Sequence, residues 1–232
     1  MSRNLVLLPG MLGNAALWQN QVEALAKDYT IMVGDLTKDE TIEELAASVL
    51  KVAPPKFAIA GFSMGGIVAA EVARQAPDRV ERLAFVGSNP FPLTDKQAGW
   101  WDRFVISVDY EGFEPTILNR LYPHFVHPDH AGDAAIRDTV LKMSRKIGQD
   151  TMLRQVRAIQ RGAVKSFDWS ELTIPTAVIA GRDDVLCPPH IQKELAAQLP
   201  NSELTLIENC GHLAPLEKPH AVTQLLEGWL HG

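Results

Sequence analysis

The 232-residue sequence has little cysteine, no long hydrophobic run and no basic cluster. Two cysteines, Cys187 and Cys210, provide no disulfide framework, so we expect reduced thiols in a cytoplasmic protein. No apolar run approaches a membrane span, and the first one, residues 5–8, is too short for a signal peptide. A net charge of −6 without any block of Lys or Arg argues against a nucleic-acid partner. These absences favour an ordinary globular protein, either monomer or homodimer, without a membrane or nucleic-acid partner.

Strands and helices alternate along most of the chain. Continuous apolar strands followed by amphipathic helices predict an α/β fold, a doubly wound and mostly parallel sheet with helices on both faces. Asn14 is the expected N-cap of the first helix, and Thr41 with Glu44 is the expected capping box of the second. The predicted strands cover residues 5–8, 29–33, 57–60, 82–86, 176–180 and 203–208.

The pattern changes between residue 91 and about residue 163. No strand-like run occurs there, aromatic residues cluster, and helices are expected at 134–147 and 151–160. We therefore predict one domain, residues 1–232, with a helical insertion between two strands of the same sheet.

A G-x-S-x-G motif lies between a predicted strand and a predicted helix. The apolar run 57–60 leads into it, Ser63 is at its centre, and good helix formers follow at 68–74. A serine held on such a strained turn, with small residues two before and two after, is typical of a nucleophile elbow. Gly61 and Gly65 meet the size requirement. The motif alone is also compatible with a buried turn that carries a passive serine.

An acid and a histidine follow two later strands. Asp183 and Asp184 come after the strand at 176–180, and His212 comes after the strand at 203–208. The carboxyl ends of parallel strands share one edge of a sheet, so we expect these groups to meet Ser63 there. A serine hydroxyl needs a base to act as a nucleophile at neutral pH, and a carboxylate fixes the tautomer of a histidine base. The chain order Ser, Asp, His is that of one known triad scaffold.

With these motifs, the chain from residue 5 to about residue 230 resembles the α/β-hydrolase-fold family, in its small single-domain form. The resemblance rests on the elbow, on a G-x-x-D-x-x-x-P pattern from Gly181 to Pro188, and on a G-H turn at Gly211-His212 before the last helix. It implies that the insertion is a helical cap over the active site. It implies neither a cofactor nor a metal.

The resemblance also implies a role for each site residue. Ser63 is the expected nucleophile, His212 the base and Asp184 the orienting acid. Asp183 is the alternative acid, but the family spacing of three residues after Gly181 selects Asp184. Many relatives have His-Gly where this chain has Pro9-Gly10, and the amide that follows this glycine is still available. The expected oxyanion hole consists of the backbone N–H groups of Met11 and Met64.

The resemblance defines the substrate pocket least well. The candidate pocket residues are Leu12, Trp100, Trp101, Phe104 and Leu213. The three aromatic residues among them either line an acyl or aromatic pocket or form the core of the insertion, and both interpretations remain open. The nearby His124, His127 and His130 are spaced for a polar loop better than for a metal site.

We expect a carboxylesterase-like serine hydrolase that cleaves an ester, thioester or lactone of a small or medium-sized molecule. Two alternatives use the same fold. One is a cofactor-free lyase or a carbon–carbon bond hydrolase that employs the same three residues. The other is a protein that binds a small ligand and turns it over slowly or not at all.

Overall fold

The computed structural model describes residues 3–162 and 168–232. Its centre is a six-stranded sheet in the order β2-β1-β3-β4-β5-β6, in which every neighbouring pair is parallel. This arrangement, flanked by helices, confirms the predicted fold class. The strands are β1 (Asn4–Leu8), β2 (Thr30–Val33), β3 (Phe57–Phe62), β4 (Val80–Val86), β5 (Thr176–Gly181) and β6 (Ser202–Ile207).

Helices fill the connections between the strands. Helix α3 contacts β1, β3 and β4, while α9 and α11 contact β5. No helix among residues 3–162 and 168–232 is long and apolar enough to cross a membrane. The α-helices are α1 (Gln19–Leu25), α2 (Ile42–Val52), α3 (Met64–Gln75), α4 (Asp95–Glu111), α5 (Phe113–Thr116), α6 (Tyr122–Phe125), α7 (Ala134–Ile147), α8 (Gln149–Arg161), α9 (Pro189–Gln198), α10 (Ala214–Glu217) and α11 (Pro219–His231).

The two predicted helix caps have different outcomes. The Asn14 side chain accepts a hydrogen bond from the Ala16 N–H, which confirms the cap, although the first turn is a 3-10 helix. Thr41 Oγ1 accepts from the Glu44 N–H at 3.2 Å. The reciprocal half of the predicted capping box is wrong, because the Glu44 carboxylate reaches one residue further back and accepts from the Glu40 N–H at 3.3 Å.

The segment between β4 and β5 is helical in its described part. It contains α4 to α8, a π-helical turn at Ile117–Leu121 and a 3-10 turn at Pro128–His130. The predicted helix at 134–147 matches α7, and the one at 151–160 falls within α8. The predicted end of the insertion, residue 163, lies outside the described residues.

The strand β3 and the helix α3 form the most enclosed part of the core. All six residues of β3 and the first ten of α3 are buried. Because β3 lies in the middle of the sheet order, the turn that joins it to α3 is at the centre of the edge formed by the carboxyl ends of the strands. The fold therefore places Ser63 where the loops after the other strands converge.

Candidate active site

Ser63 occupies the strained turn that the sequence predicts. Its φ and ψ angles are 52° and −119°, in a region that residues with a side chain rarely adopt. A Cβ on Gly61 would lie 2.2 Å from the Gly65 carbonyl oxygen, and one on Gly65 would lie 2.5 Å from the Leu8 carbonyl oxygen. Only glycine leaves enough room at both positions, so the strand can turn directly into α3 and hold the serine at its apex.

His212 lies in the loop after β6 and is 2% exposed. Its Nε2 atom is 3.0 Å from Ser63 Oγ, and its Nδ1 atom is 2.8 Å from Asp184 Oδ2. The imidazole ring contacts Phe62 with a centroid distance of 4.9 Å and stacks on Phe125 at 5.8 Å. These contacts exclude water from the ring and hold it between a hydroxyl and a carboxylate.

Asp184, and not Asp183, faces the histidine. Asp184 is 2% exposed, and its Oδ1 atom accepts hydrogen bonds from the Leu186 N–H at 2.9 Å and the Cys187 N–H at 2.8 Å. Its Oδ2 atom remains for His212. The Asp183 side chain is 44% exposed and lies 3.7 Å from His127 Nε2. The structure therefore places Asp184 against His212 and Asp183 near the surface, in agreement with the spacing of three residues after Gly181.

Two backbone amides lie beside the serine. The Met64 N–H begins α3, where no preceding turn supplies an acceptor. A Cβ on Gly10 would lie 3.1 Å from Ser63 Cβ, so the turn that carries Met11 packs directly against the serine. Within the described residues, neither the Met11 nor the Met64 amide donates to a protein acceptor. Both are therefore available to a ligand.

A cavity of about 600 Å³ opens beside Ser63 and His212. Of the five candidate pocket residues, Leu12, Trp100, Trp101 and Leu213 line it. Phe104 is not among the lining residues: this side chain is 3% exposed and lies one helical turn from Trp100, where the two rings stack at 5.7 Å. The aromatic cluster of α4 thus forms both a cavity wall and the packing that supports it.

Two of the three histidines in residues 124–130 contact neighbouring side chains near the site. The His124 ring lies edge-on to Trp100 at 5.8 Å, and His127 lies near Asp129 and Asp183. Ligand atoms of Asp184, Cys187 and His212 come within 4.8 Å of one another. This group is poorly suited to a metal ion, because hydrogen bonds occupy both carboxylate oxygens and burial raises the pKa of the Cys187 thiol well above its usual value.

Sequence reasoning missed several residues that support the site. Ser88 Oγ donates to the Ser63 carbonyl oxygen at 2.8 Å, and Gln192 Nε2 donates to the carbonyls of Ser88 and Cys187. Glu217, 5% exposed, accepts from the backbone N–H groups of His127 and Gly211 through one oxygen. Three of these contacts, Ser88 to Ser63, Gln192 to Ser88 and Glu217 to His127, join segments 25 to 104 residues apart, and no local pattern indicates them.

Comparison with known proteins gives consistent results. A sequence model of the alpha/beta hydrolase fold matches residues 36–219. The pimeloyl-[acyl-carrier protein] methyl ester esterase of Vibrio parahaemolyticus is 27% identical over 242 residues, which cover 94% of this chain and 89% of that protein. The "Putative carbamate hydrolase RutD" of Serratia proteamaculans is 26% identical over 251 residues, which cover 99% of this chain and 91% of that protein.

A solved structure extends the similarity to the whole fold. The enol-lactonase from Burkholderia xenovorans LB400 superposes with a TM-score of 0.88 at 19% identity, covering 100% of this chain and 92% of that one. The names of the relatives support a hydrolase. The family match covers most of the chain, and the chain therefore belongs to the alpha/beta hydrolase fold family.

Proposed function

We propose that this protein is a serine hydrolase that cleaves an ester, thioester or lactone through an acyl-enzyme. The proposal rests chiefly on one observation: a continuous hydrogen-bonded chain runs from Asp184 Oδ2 through both ring nitrogens of His212 to Ser63 Oγ beside the cavity. A carboxylate, an imidazole and a hydroxyl in this order are the groups that activate a serine for attack on a carbonyl carbon.

The reaction proceeds in two halves. Ser63 Oγ attacks the substrate carbonyl carbon while its proton passes to His212 Nε2, and the N–H groups of Met11 and Met64 stabilise the developing oxyanion. The tetrahedral intermediate then expels the alcohol or thiol, which takes the proton from His212. In the second half, His212 removes a proton from water, the resulting hydroxide attacks the acyl-enzyme, and the acid leaves as Ser63 recovers its proton.

The cavity supports a substrate of small or medium size. Its volume is typical of sites for small organic ligands. Both relatives described above carry names for hydrolysis at a carbonyl group, one of a methyl ester and one of a carbamate, which supports the same bond class here. The wall is largely apolar and suits an aliphatic or aromatic acyl group; it includes Leu12, Leu17, Ile67, Trp100, Trp101, Val140, Met143, Ile159 and Ile191.

Turnover of p-nitrophenyl esters from acetate to decanoate tests the proposal. We expect hydrolysis with an optimum longer than acetate, and we expect Ser63→Ala to abolish it while the circular dichroism spectrum and melting temperature stay close to wild type. Full activity in Ser63→Ala would contradict the mechanism. If esters are not hydrolysed and the serine is unreactive, the lyase or the ligand-binding protein replaces the esterase as the best hypothesis.

A further inference from the structure

The turn from Gly10 to Gly13 carries one of the two proposed oxyanion donors in a strained backbone. The Gly13 N–H donates to the Gly10 carbonyl at 3.0 Å, which makes Met11 and Leu12 the two central residues. Leu12 has a φ of 61°, a conformation that turns usually assign to glycine or asparagine at this position. The Leu12 side chain lines the cavity. This position therefore has an apolar side chain although its backbone conformation favours glycine. Such strain persists only where surrounding contacts hold it.

A side chain of the helical insertion holds this turn. Gln155 lies on α8 and is 2% exposed. Its Oε1 atom accepts a hydrogen bond from the Leu12 N–H at 3.0 Å, and its Nε2 atom donates to the Leu36 carbonyl at 2.9 Å. The two partners fix the orientation of the amide, because the flipped side chain would direct its NH₂ group at the Leu12 N–H and its oxygen at the Leu36 carbonyl.

We propose that Gln155 is a positioning residue that keeps the Met11 N–H directed at the oxyanion. By accepting from the Leu12 N–H, it fixes the peptide that follows Met11 in the strained turn and prevents the loop from relaxing away from Ser63. The helical insertion thereby contributes to the chemistry of the sheet as well as to the cavity wall. This inference rests on the proposed function, since it requires an oxyanion to form at that place.

The test separates the binding of a tetrahedral group from the binding of a planar one. Gln155→Met removes both hydrogen bonds at similar side-chain volume, and Gln155→Ser, which leaves room for water, is measured in parallel in case the methionine variant does not fold. An alkyl boronic acid serves as the tetrahedral probe: the Ser63 Oγ–B bond forms, the hydroxyl proton passes to His212, and an oxygen on boron takes the oxyanion position. The matching alkyl carboxamide is the planar probe.

We expect kcat for a p-nitrophenyl ester to fall on the order of 10- to 100-fold, with KM changed by less than about threefold. The inhibition constant of the boronic acid should rise in parallel with the loss in kcat/KM, whereas that of the carboxamide stays nearly constant. Gln155→Glu keeps an acceptor for the Leu12 N–H and, when protonated, a donor for the Leu36 carbonyl, so it should recover part of the lost kcat.

The neighbouring Arg154 provides a matched control. It lies on the same helix and donates to the Thr37 carbonyl at 3.0 Å, in the same loop that contains Leu36, but it has no hydrogen bond to Leu12. Arg154→Met should therefore leave kcat and the boronic acid constant near wild type.

Two results would overturn the inference, and they are distinguishable. If the wild type is active and the Gln155 variants keep kcat, or lose boronic acid and carboxamide affinity equally, the positioning role is wrong and the proposed function stands. If the wild type neither hydrolyses esters nor binds the boronic acid, the proposed function fails and this inference fails with it.

Discussion

Replacement of Asp184 by asparagine tests how the histidine is held. Asp184 Oδ1 accepts from the Leu186 and Cys187 N–H groups, and Oδ2 faces His212 Nδ1 at 2.8 Å. An asparagine must keep its oxygen on the two backbone donors, because the reverse orientation would direct its NH₂ group at them. Its NH₂ group therefore faces His212 Nδ1, which must then accept. The remaining ring proton moves to Nε2, and the histidine can no longer receive the Ser63 proton.

The structure sets a lower bound on the effect. The reverse asparagine orientation leaves two buried N–H groups without acceptors, at about 1–3 kcal/mol each, so the unproductive tautomer is favoured by at least about 2 kcal/mol, or about 30-fold. Loss of imidazolium stabilisation adds to this. The equivalent change in a serine protease lowers kcat by about 10⁴, and we expect a loss of about 10³ to 10⁴ here, equal to about 4–5.5 kcal/mol of barrier.

Steady-state kinetics on the best p-nitrophenyl ester measure this effect, with Asp183→Asn as the control. The Asp183 side chain is 44% exposed, and its contact with His127 Nε2, at 3.7 Å, is a weak surface ion pair. Loss of its charge should therefore change kcat/KM by less than about threefold. Asp184→Asn should fold, since asparagine keeps the oxygen that the two backbone donors require, and Asp183→Asn should fold because it changes a side chain that is 44% exposed. Activity of Asp184→Asn within about tenfold of wild type, or a larger loss in Asp183→Asn, would refute the reasoning.

Three further predictions concern stability and reactivity. Gly61→Ala would place a Cβ 2.2 Å from the Gly65 carbonyl, so the free energy of unfolding in urea should fall by about 1–3 kcal/mol or more; an unchanged value would contradict the elbow geometry. Burial raises the pKa of Glu217 above its usual 4.5, so the folded state binds its proton more tightly than the unfolded state. The wild type should then lose stability relative to Glu217→Gln as the pH rises from about 4.5 through the raised value, and a melting-temperature difference independent of pH would contradict this. Burial also raises the pKa of the thiols of Cys187 and Cys210, so iodoacetamide at pH 8 should modify them only after unfolding; rapid modification of the folded protein would contradict their burial.

The sequence was sufficient for the features that local constraints determine. The elbow could be predicted because only glycine tolerates the contacts around Ser63, and those contacts are among residues within a few positions of one another or at the ends of paired strands. The parallel sheet followed from the alternation of apolar strands and helices. The order of Ser63, Asp184 and His212 on three strand ends then sufficed to predict that they would meet.

Contacts between distant segments could not be predicted. Gln155 meets Leu12 across 143 residues, and Glu217 meets His127 across 90. No periodicity or motif distinguishes these side chains from other polar residues on helices. The sequence left open, for a related reason, whether Phe104 lines the pocket or packs within the insertion: a helix position fixes which side chains are neighbours, but tertiary packing decides which of them faces the cavity.

The most direct test of the central claim is the mass of the intact protein after treatment with a fluorophosphonate, followed by peptide mapping. We predict that the wild type gains one phosphonyl group on Ser63 and loses activity in the same proportion, while Ser63→Ala gains none. A wild type that remains unmodified, or that is modified elsewhere while keeping its turnover, would contradict the account of Ser63 as a nucleophile activated by His212.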